Sequence, residues 1–287
     1  MRIGLSTPVV MQLPGAVSAW EREGDIEDVA RIAKVADELG FDYLTCPEHV
    51  VVPVDDAAQR GCTYWDPVAT LAFLAARTTN IRLVTAVVVL GYHHPLELAK
   101  RYGTLDRVSG GRLVLGVGVG SLAAEFELLG APFSDRGPRA DDALRALRAS
   151  LSTNRPAYSG KYYSYGSVVM DPCAVQDPVP IWVGGRTPRS LRRAIRLANG
   201  WIPFGLSTSE LSKMLAGVDL PPNFDVALAC GPLDPLGAPD DVRRRLDTLR
   251  DVGATTATCA LAADSPAHYC EQLGALGALA DSGGHTA

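Results

Sequence analysis

Two residues that follow an apolar run of this 287-residue chain are the first candidates for chemistry, Glu48 and His49. A histidine at the end of a strand can transfer a proton near neutral pH, and the adjacent carboxylate can support it. A single histidine is a weak signal, and a satisfied surface or core histidine is an equally simple interpretation. We therefore take His49 and Glu48 as candidate catalytic residues, with Glu48 more typical of a supporting salt bridge.

A second segment, Gly184-Gly185-Arg186-Thr187-Pro188, has the composition of an anion-binding turn. It follows the apolar run Ile181-Trp182-Val183 and precedes a helix that begins with proline, an arrangement that exposes free backbone N–H groups. Arg186 and Arg189 add positive charge. The pattern predicts a phosphate site, and an ordinary turn between a strand and a helix is the alternative.

Other motifs exclude several kinds of site. The glycine run Gly116-Val117-Gly118-Val119-Gly120 lets a backbone approach a ligand closely, but its spacing differs from the dinucleotide-binding motif. His93-His94 are adjacent, so their side chains diverge, and we expect no metal. Neither a Gly-x-Ser-x-Gly elbow nor a Walker loop occurs. A phosphate site with a proton donor and no nucleophile favours a bound redox cofactor.

The hydrophobic periodicity predicts a (β/α)₈ TIM barrel of the α/β class, with an open doubly wound sheet as the alternative. Short apolar runs alternate with amphipathic ones, and we find no linker, so residues 1–287 form one predicted domain. The predicted strands are residues 2–7, 41–46, 81–90, 112–117, 179–183, 200–204, 225–230 and 257–261. The predicted helices are 25–39, 66–78, 95–108, 139–151, 188–198, 209–216, 239–252 and 266–279.

Two segments depart from the rhythm of the barrel. Residues 118–178, after the fourth predicted strand, are rich in Gly, Pro, Tyr and Ser, and a connection of this length is usually functional. Residues 281–287 are polar and glycine-rich, so we predict a flexible tail.

Charge and hydropathy limit the partners of the chain. The net charge is −5, which argues against nucleic acid because phosphate contact favours a basic surface. No apolar run is long enough for a membrane span, and the N-terminus has no signal-peptide core, so we expect a cytoplasmic protein that does not bind membranes. Six scattered cysteines are typical of reduced thiols.

Taken together, the motifs resemble the luciferase-like monooxygenase superfamily, and within it the actinobacterial branch of coenzyme F420-dependent oxidoreductases. The resemblance runs from Arg2 to about Phe204 and fades beyond it. Its motifs are Ala36-Asp37-Glu38-Leu39-Gly40-Phe41-Asp42, Glu48-His49, Thr85-Ala86-Val87, His94-Pro95, Leu105-Asp106-Arg107-Val108-Ser109-Gly110-Gly111-Arg112, Gly116-Val117-Gly118, Glu125-Phe126, Arg136-Gly137, Arg139, Asp141 and Pro180 through Gly185.

The resemblance implies a role for each matching position. Ala86–Val87 is expected to form a non-prolyl cis peptide that supports the back of a tricyclic ring, and Gly118, in the glycine run, is expected to contact the cofactor. Gly184, Gly185, Arg186 and Thr187 are expected to hold the cofactor phosphate, and His49 to contact the ring or donate a proton. The insertion at residues 118–178 would cover the site.

The implied activity is hydride transfer between coenzyme F420 and a small organic substrate. An FMN-dependent monooxygenase that uses reduced flavin and O₂ is the alternative. F420 is preferred to FMN because only F420 has a polyglutamate tail, which suits the arginines near residue 186. A non-enzymatic cofactor carrier and an unrelated metal- or phosphosugar-dependent barrel enzyme are further alternatives. A homodimer is also implied; the apolar residues Pro67 to Ala76 are its candidate surface, and packing against the barrel alone is the alternative. Candidate pocket walls are Tyr64, Trp65, Tyr92 and Tyr158.

Overall fold

Parallel strands close into a barrel in the computed structural model, which describes residues 1–282. In chain order the strands are β1 (Arg2–Ser6), β2 (Tyr43–Cys46), β3 (Arg82–Thr85), β4 (Val88–Val89), β5 (Leu113–Gly118), β6 (Tyr158–Ser159), β7 (Ser164–Tyr165), β8 (Ile181–Gly184), β9 (Gly200–Ile202), β10 (Asp225–Leu233) and β11 (Thr256–Leu261). Eight of them, β1, β2, β3, β5, β8, β9, β10 and β11, form the barrel wall. The pairing of β3 with β5 and of β1 with β11 closes the sheet on itself.

Helices surround the barrel. They are α1 (Ala19–Glu23), α2 (Ile26–Glu38), α3 (Val54–Arg60), α4 (Pro67–Arg77), α5 (Pro95–Val108), α6 (Ala123–Leu128), α7 (Arg136–Arg148), α8 (Pro188–Leu197), α9 (Thr208–Leu215), α10 (Pro239–Val252) and α11 (Pro266–Ser282). Within residues 1–282, no helix combines the length and the hydropathy that crossing a bilayer requires.

The predicted barrel is confirmed, and one predicted strand is wrong in its extent. The apolar run 81–90 is not continuous, because β3 ends at Thr85, β4 covers only two residues and a 3₁₀ turn follows over Leu90–Tyr92. The strand is interrupted at residues 86 and 87, which are joined by a cis peptide bond. This interruption does not alter the hydrophobic pattern, so periodicity alone could not reveal it. The short helices α1, α3 and α6 were likewise not predicted.

Two aromatic rings fill the lower part of the barrel interior. Tyr43 and Trp182 are fully buried and pack edge to face, with ring centroids 5.3 Å apart. The Trp182 Nε1–H donates a hydrogen bond to Oδ2 of Asp225 at 3.1 Å. Glycines provide the space, since a Cβ added to Gly4 would lie 2.3 Å from the Tyr43 ring and one added to Gly200 would lie 2.5 Å from Trp182.

Helix α7 lies in the outer ring of the barrel, between α5 and α8. It begins and ends three residues earlier than predicted for the helix of the 118–178 segment. The hairpin of β6 and β7 is tied to α7 by the carboxylate of Asp142, which accepts hydrogen bonds from the Tyr158 hydroxyl at 2.6 Å and the Tyr162 amide at 2.7 Å. That residues 118–178 cover the site stays a prediction. Helix α7, which belongs to this segment, is one of the outer helices of the barrel.

The C-terminal helix continues further than the sequence predicted. Helix α11 extends to Ser282, so the first two residues of the predicted flexible tail are helical. The rest of that predicted tail, residues 283–287, lies outside the described residues. The predicted dimer surface falls on α4, where Leu71, Leu74 and Ala75 are buried within this chain, and its role in a dimer stays a prediction.

The close approach of Tyr43 to Gly4 gives a test of the barrel core. A Gly4→Ala substitution places a methyl group within the Tyr43 ring and should lower the free energy of unfolding by about 1–3 kcal/mol, the usual cost of overpacking. Chemical denaturation followed by circular dichroism measures it. Gly274→Ala in α11 is the control, because a Cβ there meets nothing within 4 Å and alanine favours helix. Equal stability of the two variants would contradict this packing.

Candidate active site

Glu48 lies just after β2 and contacts the segment that follows β3. Its Oε2 accepts a hydrogen bond from the Val89 amide at 2.7 Å, and its Oε1 lies 2.8 Å from Nε2 of His93. The side chain is only 7% exposed. These contacts join the end of β2 to β4, so Glu48 stabilises the shape of this corner. Its predicted part in catalysis stays a prediction.

A buried carboxylate, Glu125, orients His49. Oε2 of Glu125 lies 2.6 Å from Nδ1 of His49 and accepts a hydrogen bond from the Tyr92 hydroxyl at 2.7 Å. Its Oε1 accepts hydrogen bonds from the amides of Val50 at 2.8 Å and Val51 at 3.2 Å. Burial raises the pKa of Glu125, but the hydrogen bonds from His49 and Tyr92 outweigh it, and the pKa lies below its ordinary value. Glu125 is therefore ionised at neutral pH.

The contact with Glu125 determines which nitrogen of His49 can exchange a proton. An ionised carboxylate accepts hydrogen bonds only, so Nδ1 carries a proton toward it and Nε2 is left for other partners. The ring packs edge to face against Tyr64, with centroids 4.6 Å apart. The Tyr64 hydroxyl in turn donates to the Arg60 carbonyl at 2.7 Å. His49 is thus held by the Glu125 carboxylate and the Tyr64 ring, and its side chain is 18% exposed.

Glu125 is not among the site residues predicted from the sequence. The residue lies on α6, 76 positions after His49, inside residues 118–178, where the sequence shows no regular hydrophobic spacing. Neither hydrophobic spacing nor a strand end marks it, because a six-residue helix is too short to show a pattern. The signal that was present is the Glu125-Phe126 motif of the family resemblance.

The peptide bond between Ala86 and Val87 is cis, as the resemblance predicts. The Ala86 amide donates to the Cys46 carbonyl at 2.9 Å, which ties this corner to β2. A Cβ added to Gly118 would lie 2.8 Å from Cγ2 of Val87, and one added to Gly184 would lie 3.0 Å from Cγ1. Glycine at these two positions therefore makes room for the Val87 side chain. Contact of any of these residues with a cofactor stays a prediction.

The loop after β8 presents free backbone donors. Gly185 has a φ of +122°, a conformation that favours glycine, and a Cβ there would lie 2.8 Å from Cβ of Ser190. Among residues 1–282, the amides of Gly185 and Arg186 have no hydrogen-bond partner. Thr187 differs from its neighbours, since its hydroxyl accepts from the Ser190 amide at 3.3 Å and caps α8. The unpaired donors of the loop are thus its first residues, and their binding of an anion stays a prediction.

The arginines near this loop divide into two groups. Arg186, Arg189 and Arg192 are exposed, and the Arg186 guanidinium lies 5.8 Å from the centre of the Phe204 ring. Arg193 instead forms an ion pair with Asp141 of α7. The exposed group alone is available to an anionic ligand at the loop.

Above the Tyr43–Trp182 layer, the barrel opens into a cavity of about 390 Å³. Its walls include small side chains of β1, β10 and β11, namely Ser6, Ala229, Thr258 and Ala260. That volume is within the usual range of ligand pockets. None of the predicted site residues lines this cavity, which is bounded on its outer side by α10.

Other candidate residues have structural partners. The Tyr158 hydroxyl bonds Asp142 within the hairpin, and the Trp65 carbonyl lies 3.8 Å from Sγ of Cys46. His94 caps α5 through a hydrogen bond from the Leu96 amide at 3.2 Å. Across the described part of the chain, no three His, Cys, Asp or Glu side chains are grouped to hold a metal ion.

Comparison with solved structures supports the fold. Monooxygenase RslO1 from Streptomyces bottropensis superposes with a TM-score of 0.79 at 24% identity, covering 99% of both chains. The coenzyme F420-dependent tetrahydromethanopterin reductase from Methanopyrus kandleri superposes with a TM-score of 0.71 at 17% identity, covering 96% of this chain and 97% of that one. The same barrel thus occurs in a protein named as a monooxygenase and in one named as an F420-dependent reductase.

Comparison at the level of sequence identifies the family. An uncharacterized protein of Mycobacterium tuberculosis is 31% identical over 199 residues, which cover 65% of this chain and 68% of that protein. The model of the family described as luciferase-like monooxygenase matches residues 1–220. Since this match covers most of the chain and begins at its first strand, the protein belongs to the luciferase-like monooxygenase family.

Proposed function

We propose that this protein transfers a hydride between coenzyme F420 and a small organic substrate. The observation that carries the proposal is the His49–Glu125 pair, a proton-exchanging group oriented by a buried carboxylate 2.6 Å away. The pair lies near the Ala86–Val87 cis peptide, because hydrogen bonds join the segment before His49 to the residues around that peptide. Glu48 accepts one from the Val89 amide, and the Cys46 carbonyl accepts one from the Ala86 amide. A proton donor beside a seat for a flat ring suits cofactor-dependent reduction.

The residues fit a flat ring with a phosphate-bearing side chain. The cis peptide at Ala86–Val87, with the Val87 side chain in the space that Gly118 and Gly184 leave, would support one face of the ring. The free amides of Gly185 and Arg186 would hold the phosphate, since backbone N–H groups before a helix favour an anion. Both F420 and FMN carry such a ring and phosphate.

Charge at the loop favours F420 over FMN. The F420 side chain continues past the phosphate into a polyglutamate tail, whereas FMN ends at the phosphate. Arg186, Arg189 and Arg192 are exposed at this point and would attract further carboxylates. The structural likeness to an F420-dependent reductase and the branch resemblance of the sequence support the same choice.

The protein's own residues would manage the proton. Reduced F420, when bound, supplies the hydride. Hydride addition to a polarised double bond leaves negative charge on the substrate, and Nε2 of His49 would donate the proton that neutralises it. Glu125 would stabilise the cationic ring of His49 through Nδ1, and the Tyr92 hydrogen bond would keep that carboxylate in place. In the reverse direction, Nε2 would accept the proton.

An FMN-dependent monooxygenase reaction with reduced flavin and O₂ is the second candidate. It is favoured by the likeness to monooxygenase RslO1, whose TM-score of 0.79 exceeds the 0.71 of the F420-dependent reductase. The ring seat and the phosphate loop would serve either cofactor.

Cofactor preference can be measured without a known substrate. Titrating the protein into F420 should quench its fluorescence, and FMN should bind more weakly because it lacks the tail. Replacing Arg186 and Arg189 together with Gln should weaken F420 binding by about threefold to tenfold, given the modest worth of exposed ion pairs. Tight FMN binding without F420 binding would select the monooxygenase reaction instead.

Two controls make the result specific. A form of F420 without glutamates should bind the wild-type protein and the double variant equally well. Arg244→Gln on α10 removes an equally exposed charge at another part of the surface and should leave the F420 affinity unchanged. If the control variant weakens binding as much as the double variant, general electrostatic attraction accounts for the effect.

Proton transfer by His49 can be tested with a substrate found by screening carbonyl and enone compounds against reduced F420. His49→Ala should lower kcat by roughly 10²-fold to 10⁴-fold with little change in F420 affinity, and added imidazole should restore part of it. Glu125→Gln should also lower kcat and change its pH profile, whereas Tyr92→Phe, which keeps the pair, should cost less than about tenfold. Full activity of His49→Ala would remove the proposed role.

A further inference from the structure

Two cysteines face each other on neighbouring strands outside the site described above. Cys230 of β10 and Cys259 of β11 are register partners in a parallel pair, so their side chains extend from the same face of the sheet. Neighbouring strands are about 4.8 Å apart, which lies within the Cα separation of about 4.4–6.8 Å that a disulfide spans. Both are free thiols, with Cys259 fully buried and Cys230 only 7% exposed.

A cavity and a cation distinguish Cys230 from the other buried thiols. Cys230 lines the cavity of about 390 Å³, together with Arg245 of α10. The Arg245 guanidinium is held over the end of β10 by hydrogen bonds to the Pro232 carbonyl at 2.8 Å and the Gly231 carbonyl at 3.1 Å. Among the three buried thiols, Cys230 is thus the one that lines a cavity, with a fixed positive charge nearby.

The charges around the pair favour a thiolate at Cys230. The neighbouring Cys259 thiol lowers the pKa of Cys230, burial opposes it, and the Arg245 charge lowers the pKa further against a contrary contribution from Asp241. The neighbouring Cys230 side chain, followed by burial, raises the pKa of Cys259 well above its ordinary value. One thiol is thereby activated as a nucleophile, and its neighbour stays protonated.

We propose that Cys230 is a peroxide-reactive modification site and that Cys259 is its resolving thiol. The Cys230 thiolate attacks hydrogen peroxide, the O–O bond breaks, and Cys230 becomes a sulfenic acid while the leaving oxygen takes up a proton as water. The Cys259 sulfur then attacks the Cys230 sulfur and an S–S bond forms as the S–O bond of the sulfenic acid breaks. The departing oxygen takes up the proton of the Cys259 thiol and leaves as a second water. The two thiols lose two electrons to the peroxide, and β10 becomes covalently joined to β11.

The experiment uses the full chain with Cys62, Cys173 and Cys270 replaced by Ser, which leaves Cys46 as an internal control. Cys46 is also buried, but burial raises its pKa to about 12, so it should not react. Hydrogen peroxide should remove two of the three remaining thiols, and peptide mass spectrometry should find Cys230 linked to Cys259. Cys259→Ser should stop at a sulfenic acid on Cys230 that dimedone traps, and Cys230→Ser should protect Cys259.

The contribution of Arg245 is a separate measurement. Arg245→Gln should slow oxidation of Cys230 by roughly threefold to tenfold, because less of the thiol is ionised, and circular dichroism checks that the variant is folded. Oxidation of Cys230 no faster than that of Cys46, or dimedone capture at Cys259 in place of Cys230, would overturn the proposal. The readouts require no F420 or substrate, so the result is independent of the proposed hydride transfer.

Discussion

The arrangement of the candidate site depends on one buried carboxylate. Glu125 is fully buried and accepts four hydrogen bonds, from His49, Tyr92 and the amides of Val50 and Val51. An ionised carboxylate can occupy such a place only when its lone pairs are satisfied, and here both oxygens are. The partners come from the segment after β2 and from the turn after β4, so one side chain fixes the relative positions of three parts of the chain.

Glycine is the second constraint, because it determines where backbone and side chains come close. Gly118 and Gly184 leave room for Val87 after the cis peptide, and Gly4 leaves room for Tyr43 in the layer below. The bulky lower layer and the small residues above it, such as Ser6 and Ala229, give the barrel a filled base and an open mouth. Barrel enzymes place their sites at this end of the strands.

Much of the fold follows from the sequence because each strand and helix has a local cause. Asp25 caps α2 through hydrogen bonds from the Glu27 and Asp28 amides, and Pro67 occupies the first turn of α4, as their sequence positions predict. The interruption between β3 and β4 at residues 86–87 has no such local signal in the hydrophobic pattern. It was expected only through the family resemblance, which is a different kind of inference.

The candidate site was predicted less completely than the fold. His49 and the glycine loop are marked by their positions after strands, whereas Glu125 acquires its role only through a contact across 76 residues. Thr187 was predicted to hold phosphate, which stays a prediction, and its hydroxyl caps α8. A capping threonine and a ligand-binding threonine look alike in sequence. Long-range partners and competing local hydrogen bonds are the two kinds of information that a sequence pattern lacks.

The most direct measurement is a crystal structure of the protein with F420 bound. We expect the phosphate on the amides of Gly185 and Arg186, the ring against Ala86–Val87, and Nε2 of His49 turned toward the open face of the ring. A ring bound instead among Ser6, Ala229 and Thr258, with the loop after β8 empty, would contradict it.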